Sequence, residues 1–422
     1  MNKKIVLFII VAFIVGLIVG IILWQSGADV TGYVTWVQPF GQILVSMLKM
    51  IVIPVILLSL ITGAASIPLK QFGKVGLKVI IWYFLTSLLA SILGSVVALA
   101  FNPGGDTSRA VWEQLLTGTT GLEEPTAGGS LVSVLLSMFQ NPFSALAEGN
   151  FLAIIVFSIG FGLALKILSE RNKFQFEKAV DSLLSLLDTA KEAIFVIVEW
   201  ILAYSPIGVF ALTSTNFALY GSRLFGPYIT LTIGVVLGIL GMIFIVYPIM
   251  MAITLKENPF KIILALKEPI LTAFVTRSSA ATLPVSMQVS TDELGVDESL
   301  ASFSLPLGAT INMDGVCIHL PMFAVLAANL FGVNMDFTTL AVLVITTVLA
   351  SVGAGGVPGG SLMLLFIILQ NMGLDSGQIA LIAGLALGIN PILDMFETMN
   401  NVTGDLVATY SVAKMSKLVN KD

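Results

Sequence analysis

From residue 5 onward the chain is written in long apolar runs separated by short polar breaks. IVLFIIVAFIVGLIVGIILW (5–24) and YITLTIGVVLGILGMIFIVYPIMMAITL (228–255) are each as long as the roughly 20 residues that carry a helix across a bilayer, or longer. The breaks predict helices near 5–26, 38–66, 76–101, 152–169, 174–220 and 224–255. Membrane barrels alternate in short strands, so the pattern predicts an all-α protein. After Leu255 the apolar stretches shorten and end in polar, Gly- or Pro-containing tips. One tip is FVTRSSAATLPVSM (274–287), ahead of a helix carrying SLPLGATINMDG; the other is ASVGAGGVPGGS (350–361), ahead of a helix carrying ILDMFETMNNVTGD. Both halves repeat one plan, a broken hairpin and then a helix with Asn and Asp inside it. Irregular backbone in a membrane is tolerated only where protein buries it or it lines a cavity, so the hairpins are expected to meet at a central site.

Composition agrees with the pattern. Of 422 residues 57% are hydrophobic and 11% charged, against about 25% charged in ordinary soluble domains, and the mean hydropathy is +1.00. The chain is read as an integral membrane protein of the cell (inner, cytoplasmic) membrane. Its first apolar run follows Lys3 and Lys4, but it is too long for a signal h-region and no A-x-A pattern follows, so it is read as a retained helix. Lys3/Lys4, Lys70/Lys74/Lys78, Lys166/Arg171/Lys173/Lys178, Lys256/Lys261/Lys267 and Lys414/Lys417/Lys421 fall on one side of the predicted order; the opposite connections offer Arg109 and Arg223. By the positive-inside rule both termini are cytoplasmic, and 102–135 is an external loop. With Cys317 as the one cysteine there is no intrachain disulfide. The net charge of −5 leaves no basic patch, and a nucleic-acid partner has no support.

The acids in the last helix need a reason. At 100° per residue Asp394, Glu397, Thr398, Asn401 and Asp405 share a sector about 100° wide. An acid at mid-bilayer costs about 2.5–3.5 kcal/mol on the insertion scale, so such a stripe is expected to face a cavity and a partner. Arg277, in the first tip, and Lys49 and Lys191, in other helices, are the few cations available, which leaves room for a bound cation or an ammonium group. Asn312, Asp314, Asn401 and Asp405, with Thr310 and the carbonyls of broken helices, form an all-oxygen set, suited to a hard cation such as sodium. The alternative is that these groups only bond between helices.

TRSSAATLP, LPLGATINMDG, ASVGAGGVPG and LDM followed by TMNNVTGD, together with WYFLTS (82–87) and SPIGVFAL (205–212), closely resemble the motifs of the dicarboxylate/amino acid:cation symporters. That family includes excitatory amino-acid transporters and archaeal aspartate transporters, and the likeness runs in the family's order over nearly the whole chain. The resemblance implies eight transmembrane helices plus two re-entrant hairpins, arranged as inverted repeats. It also implies a homotrimer whose fixed scaffold (1–70 and 102–222) supports a transport domain (71–101 and 223–422) that moves as an elevator. The hairpins would be 258–292 and 337–373, the seventh and eighth helices 296–333 and 376–418. Carried over by position, one sodium site would use Gly308, Asn312, Asn401 and Asp405, and a second Tyr83, Thr86, Ser87, Asn312 and Asp314. A third would use backbone oxygens around Thr310, Met313, Ser351, Val352 and Ala354, with Ala354 where the family has Thr. The substrate's α-carboxylate would meet Ser279 and Asn401 with backbone N–H groups of both tips, and its ammonium Asp394. Arg277, Ser278, Val316, Val357, Gly359, Ser361, Glu397 and Thr398 would complete the substrate site.

Glu397 departs from the acidic-substrate members, which have an Arg clamp there and a Thr at the place of Val316. The family's bacterial serine/threonine:sodium symporters share the Glu-Thr pair. An acidic side chain would meet repulsion from Glu397, whereas a carboxylate accepts a bond from a hydroxyl. The expected activity is therefore sodium-coupled import of small neutral amino acids such as serine or threonine, with no enzymatic chemistry. A cationic amino acid or cystine is the alternative, and a third reading has Glu397 pairing with Arg277 and touching no ligand. An intramembrane aspartyl protease using Asp314 and Asp394 lacks the second half of its motif; a cation channel fits two occluding hairpins and an ammonium site poorly. His319 is read as a packed neutral side chain, with a proton carrier as the other possibility, and Cys317 as an apolar filler.

Overall fold

The structure, a computed structural model, describes residues 3–65, 69–105, 136–171, 173–255, 257–352 and 360–419. Among them the β pairing is limited to one isolated antiparallel bridge, Val296 with Val419. The first half comprises α1 (Lys3–Ser26), α2 (Thr31–Ala65), α3 (Leu69–Phe101), α4 (Pro142–Glu148), α5 (Phe151–Arg171) and α6 (Lys173–Tyr220). A 3-10 turn, Gly221–Leu224, leads to α7 (Phe225–Gly241), a π turn (Met242–Val246) and α8 (Tyr247–Leu255). Then come α9 (Pro259–Ala265), α10 (Lys267–Thr276), α11 (Ser279–Gln288), α12 (Glu298–Ile311), α13 (Asp314–Phe331), α14 (Phe337–Ser351), α15 (Gly360–Asn371) and α16 (Ser376–Met415). Among the described residues seven helical stretches are long and apolar enough to cross a membrane, the one at 176–255 running over the turn at 221–224.

Local chemistry sets the breaks. Asn258, Ser278, Asp297, Asp336 and Asp375 each cap a helix of the second half by accepting from backbone N–H groups. Two boundaries differ from the sequence expectation. α2 starts at Thr31, not near 38, because it runs through Pro39, which a membrane helix tolerates. α3 starts at Leu69, not near 76, with a kink at Gly73 (φ +39°) that an apolar-run count reads as an end. The helix expected over 296–333 is interrupted: α12 stops at Ile311, Asn312 is extended (φ −102°, ψ 91°) and α13 begins at Asp314. The eighth helix, by contrast, is continuous through Pro391.

Two packing layers result. α1 and α2 lie against α6, and α2 against α5; at Gly20 a Cβ would sit 2.7 Å from Ser214 O, so the missing side chain sets the α1–α6 separation. α13 is the centre, packed by α3, α7, α14, α15 and α16. In its membrane-length window with α12, 94% of residues are buried, against 17% for α1. α13 is therefore shielded by protein while α1 offers most of its surface outward. Gly94 of α3 meets the α13 backbone, with Ile318 Cα 2.7 Å from the place of a Cβ. That approach brings Tyr83, Thr86 and Ser87 of α3 within reach of the α12–α13 break.

Candidate functional site

A small cavity of about 20 Å³ lies between the first tip, the α12–α13 break, the start of α15 and the middle of α16. It is lined by Arg277, Ser279, Met313, Val316, Gly360, Ser361, Asp394, Glu397, Thr398 and Asn401. That volume holds about one water, so the site is closed around its polar walls. Two helix N-termini reach it: α11 begins at Ser279 and α15 at Gly360. Their free N–H groups and dipoles favour an anion, while Asp394 and Glu397 on the facing helix favour a cation. A zwitterion satisfies both.

Arg277, one of the few cations expected near the acid stripe, is paired with one particular acid of it. Arg277 donates to Asp394 Oδ2 from Nη2 at 2.6 Å and from Nε at 3.0 Å, and both side chains are buried. Arg277 thus binds Asp394, which sets aside the third reading, an Arg277–Glu397 pair. Its backbone lies in the left-handed region (φ +55°), uncommon for a non-glycine residue, as the C-cap of α10; the tip holds this conformation to aim the guanidinium inward. Among the described residues Nη1 finds no hydrogen-bond partner. Glu397 is buried, and its Oε1 lies against Nδ1 of His319, which is packed as expected but with an acid at its edge. Thr398 donates to Asp394 O at 2.8 Å, and Ser361 reaches Asn390 Oδ1 at 3.3 Å, tying α15 to α16.

Adjacent to the cavity the cation-ligand candidates form one buried knot. Ser87 donates to Asp314 Oδ1 at 2.7 Å and Tyr247 to Oδ2 at 2.7 Å. Thr86 donates to Asn312 Oδ1 at 3.2 Å, and Asn312 Nδ2 to Asp405 Oδ1 at 2.9 Å. Tyr83 donates to Ser304 O at 2.8 Å and borders Gly308, where a Cβ would lie 2.6 Å from its hydroxyl and against the Asp405 carboxyl. Gly308 is therefore a place where only hydrogen leaves the oxygens accessible. Asn401 belongs to both regions: its Oδ1 accepts from Gly315 N at 2.7 Å, its Nδ2 approaches Met313 Sδ at 3.3 Å, and both Asn401 and Met313 line the cavity. Among the described residues no three His, Cys, Asp or Glu cluster as metal ligands. The donors are carboxylate, amide and hydroxyl oxygens, and they suit a hard monovalent cation.

Of the expected substrate residues, Arg277, Ser279, Val316, Ser361, Asp394, Glu397, Thr398 and Asn401 converge on the cavity. Ser278 is absent from its lining and instead caps α11, accepting from Ala281 N at 3.2 Å. Val357, Gly359 and Ala354 lie outside the described residues. Thr310 is exposed and donates to Leu307 O at 2.7 Å; Ser351 is buried and donates to Val348 O at 2.8 Å; Val352 lines a separate apolar cavity. Sequence reading missed Tyr247 and Ser304, and it did not place His319 against Glu397. Tyr247 follows the π turn, a helix irregularity frequent at functional sites, which no sequence pattern announces.

Comparison with known proteins follows the same residues. The family profile described as the sodium:dicarboxylate symporter family matches residues 5–415. The proton/sodium-glutamate symport protein of Geobacillus stearothermophilus is 30% identical, covering 98% of this chain and 95% of that protein. The serine/threonine transporter SstT of Bifidobacterium adolescentis is 30% identical over 94% and 87% of the two chains. Mouse excitatory amino acid transporter 3 is 28% identical over 99% and 86%.

Proposed function

The chain belongs to the sodium:dicarboxylate symporter family, a family of transporters and not enzymes, with sodium as co-transported ion, and from that premise we propose that it imports small neutral hydroxylated amino acids, serine or threonine. The observation that carries this reading is the charge of the cavity wall. Arg277 is engaged by Asp394, and the side-chain end of the pocket is formed by Glu397 beside apolar Val316. A side-chain carboxylate would meet Glu397 without an opposing clamp. Like charges 4 Å apart repel by about 4 kcal/mol at an effective dielectric constant near 20. A hydroxyl can donate to the same carboxylate. The name of the serine/threonine relative points the same way and that of the glutamate relative the other; the negative, clamp-free wall of the pocket supports the former.

In this reading the cargo's α-carboxylate sits between the starts of α11 and α15, near Ser279 and Asn401. Its ammonium takes Asp394, displacing or sharing Arg277. Sodium binds in the knot of Gly308, Asn312, Asn401 and Asp405, in the site of Tyr83, Thr86, Ser87, Asn312 and Asp314, and at backbone oxygens near Thr310, Met313 and Ser351. Eight spanning helices, two re-entrant hairpins (α9–α11, and α14 with α15) and a homotrimeric scaffold with both termini cytoplasmic complete the proposal. Uptake into proteoliposomes under an inward sodium gradient, competed with each of the twenty amino acids and cystine, tests it. Serine or threonine should compete best and aspartate poorly; dominance by lysine, arginine or cystine would replace the hydroxyl reading by one of charge complementarity, and dominance by aspartate or glutamate would overturn both.

A further inference from the structure

Glu397 is buried at the cavity and Arg277 is spent on Asp394, so something else must compensate its carboxylate. The group in place is His319. It lies one turn beyond Val316 on α13, on the same face, 1% exposed and stacked at 4.8 Å between ring centroids on Phe323. Its Nδ1 lies against Glu397 Oε1, and among the described residues no other partner reaches that oxygen or either ring nitrogen. His319 is absent from the cavity lining while Glu397 belongs to it, so the imidazole stands behind the carboxylate and not beside the cargo.

We infer that His319 is a positioning residue that sets side-chain specificity through Glu397. By donating Nδ1–H to Oε1 it fixes the carboxylate's orientation, leaves Oε2 as the acceptor toward the cargo, and meets enough of the buried group's demand that a neutral hydroxyl suffices as the other partner. Without that donor the carboxylate is under-compensated, and a cationic side chain becomes the better partner. The inference rests on the reading of this cavity as the amino-acid site; it names the residue that makes a negative wall select a neutral cargo.

The test is a cycle of variants in proteoliposomes, with inhibition of sodium-driven uptake by serine and by lysine as the readout. His319→Leu should shift the serine-to-lysine preference toward lysine by about tenfold, the equivalent of about 1.4 kcal/mol. His319→Asn, whose amide N–H falls near the place of Nδ1, should restore most of the wild-type ratio. In a Glu397→Gln background the His319→Leu change should leave the ratio unaltered, because the acceptor through which it acts has lost its charge. Should His319→Leu fail to fold, His319→Gln, whose amide reaches the place of Nε2 and not Nδ1, is read instead with the same expectation. An equal effect in both backgrounds, or Asn behaving as Leu, would assign His319 to packing alone and overturn the inference. The wild-type amino-acid panel tests the cargo separately, since the cycle can be read against whichever side chain the wild type prefers.

Discussion

Asp394 carries the account at the level of single residues. It holds Arg277 through one oxygen while facing the cavity that the cargo's ammonium enters in the proposed reading. A charge-assisted bond is worth about 1.5–3 kcal/mol, so Asp394→Asn should weaken sodium-dependent binding of serine at least tenfold in equilibrium binding, and an analogue without the α-amino group should bind the wild type comparably poorly. Unchanged binding in both cases would place the ammonium elsewhere. Asp405→Asn or Asp314→Asn should reduce sodium affinity and, by linkage, serine affinity measured at fixed sodium, because Asn401 and Met313 belong to both regions. Equal serine affinity in sodium and choline would contradict coupling. The stripe Asp394–Glu397–Thr398–Asn401 was legible because one helical period puts it on one face. Its partners were not, because Arg277 and His319 come from other elements, and only the folded backbone decides which acid each one reaches.

The helix break between α12 and α13 is the element that makes the site, and glycines hold it open. At Gly404 a Cβ would lie 2.8 Å from Asp314 Oδ2 and 3.0 Å from Asn312 Nδ2, and at Gly308 it would press on Tyr83 and Asp405. Gly404→Ala and Gly308→Ala should therefore abolish the sodium-dependent rise in thermal stability while the helical circular dichroism persists. A preserved sodium-dependent shift in both variants would remove the knot from the ion pathway. The apolar runs foretold most helices, and the first tip foretold the break at Arg277–Ser278; most of the second tip lies outside the described residues. The sequence did not disclose that one Asn/Asp helix is broken and the other continuous. Pro306, Pro321 and Pro391 all sit inside helices, so proline does not mark the difference, and tertiary contacts decide it.

At the scale of the whole molecule, the proposed elevator needs the second half to slide against α2 and α5. An apolar cavity of about 230 Å³ lies at that seam, with Leu60, Ala64, Ile159 and Leu163 on one side and Tyr83, Ser87, Ile311 and Val348 on the other. With Cys317 replaced by Ala, cysteines at Leu60 and Ile311 bridged by mercury should halt uptake while equilibrium binding of serine survives; uptake that continues when bridged would mean that these surfaces do not move past each other. The order of helices and their membrane character could be read from sequence, whereas the close layering through Gly20 and Gly94 depends on which faces meet. In the proposed reading one carboxylate, Glu397, selects the cargo of a sodium-driven carrier. The most direct test is sodium-gradient uptake of serine and aspartate by Glu397→Arg combined with Val316→Thr: serine uptake should fall and aspartate uptake should appear, whereas retained serine preference with no aspartate uptake would contradict the assignment.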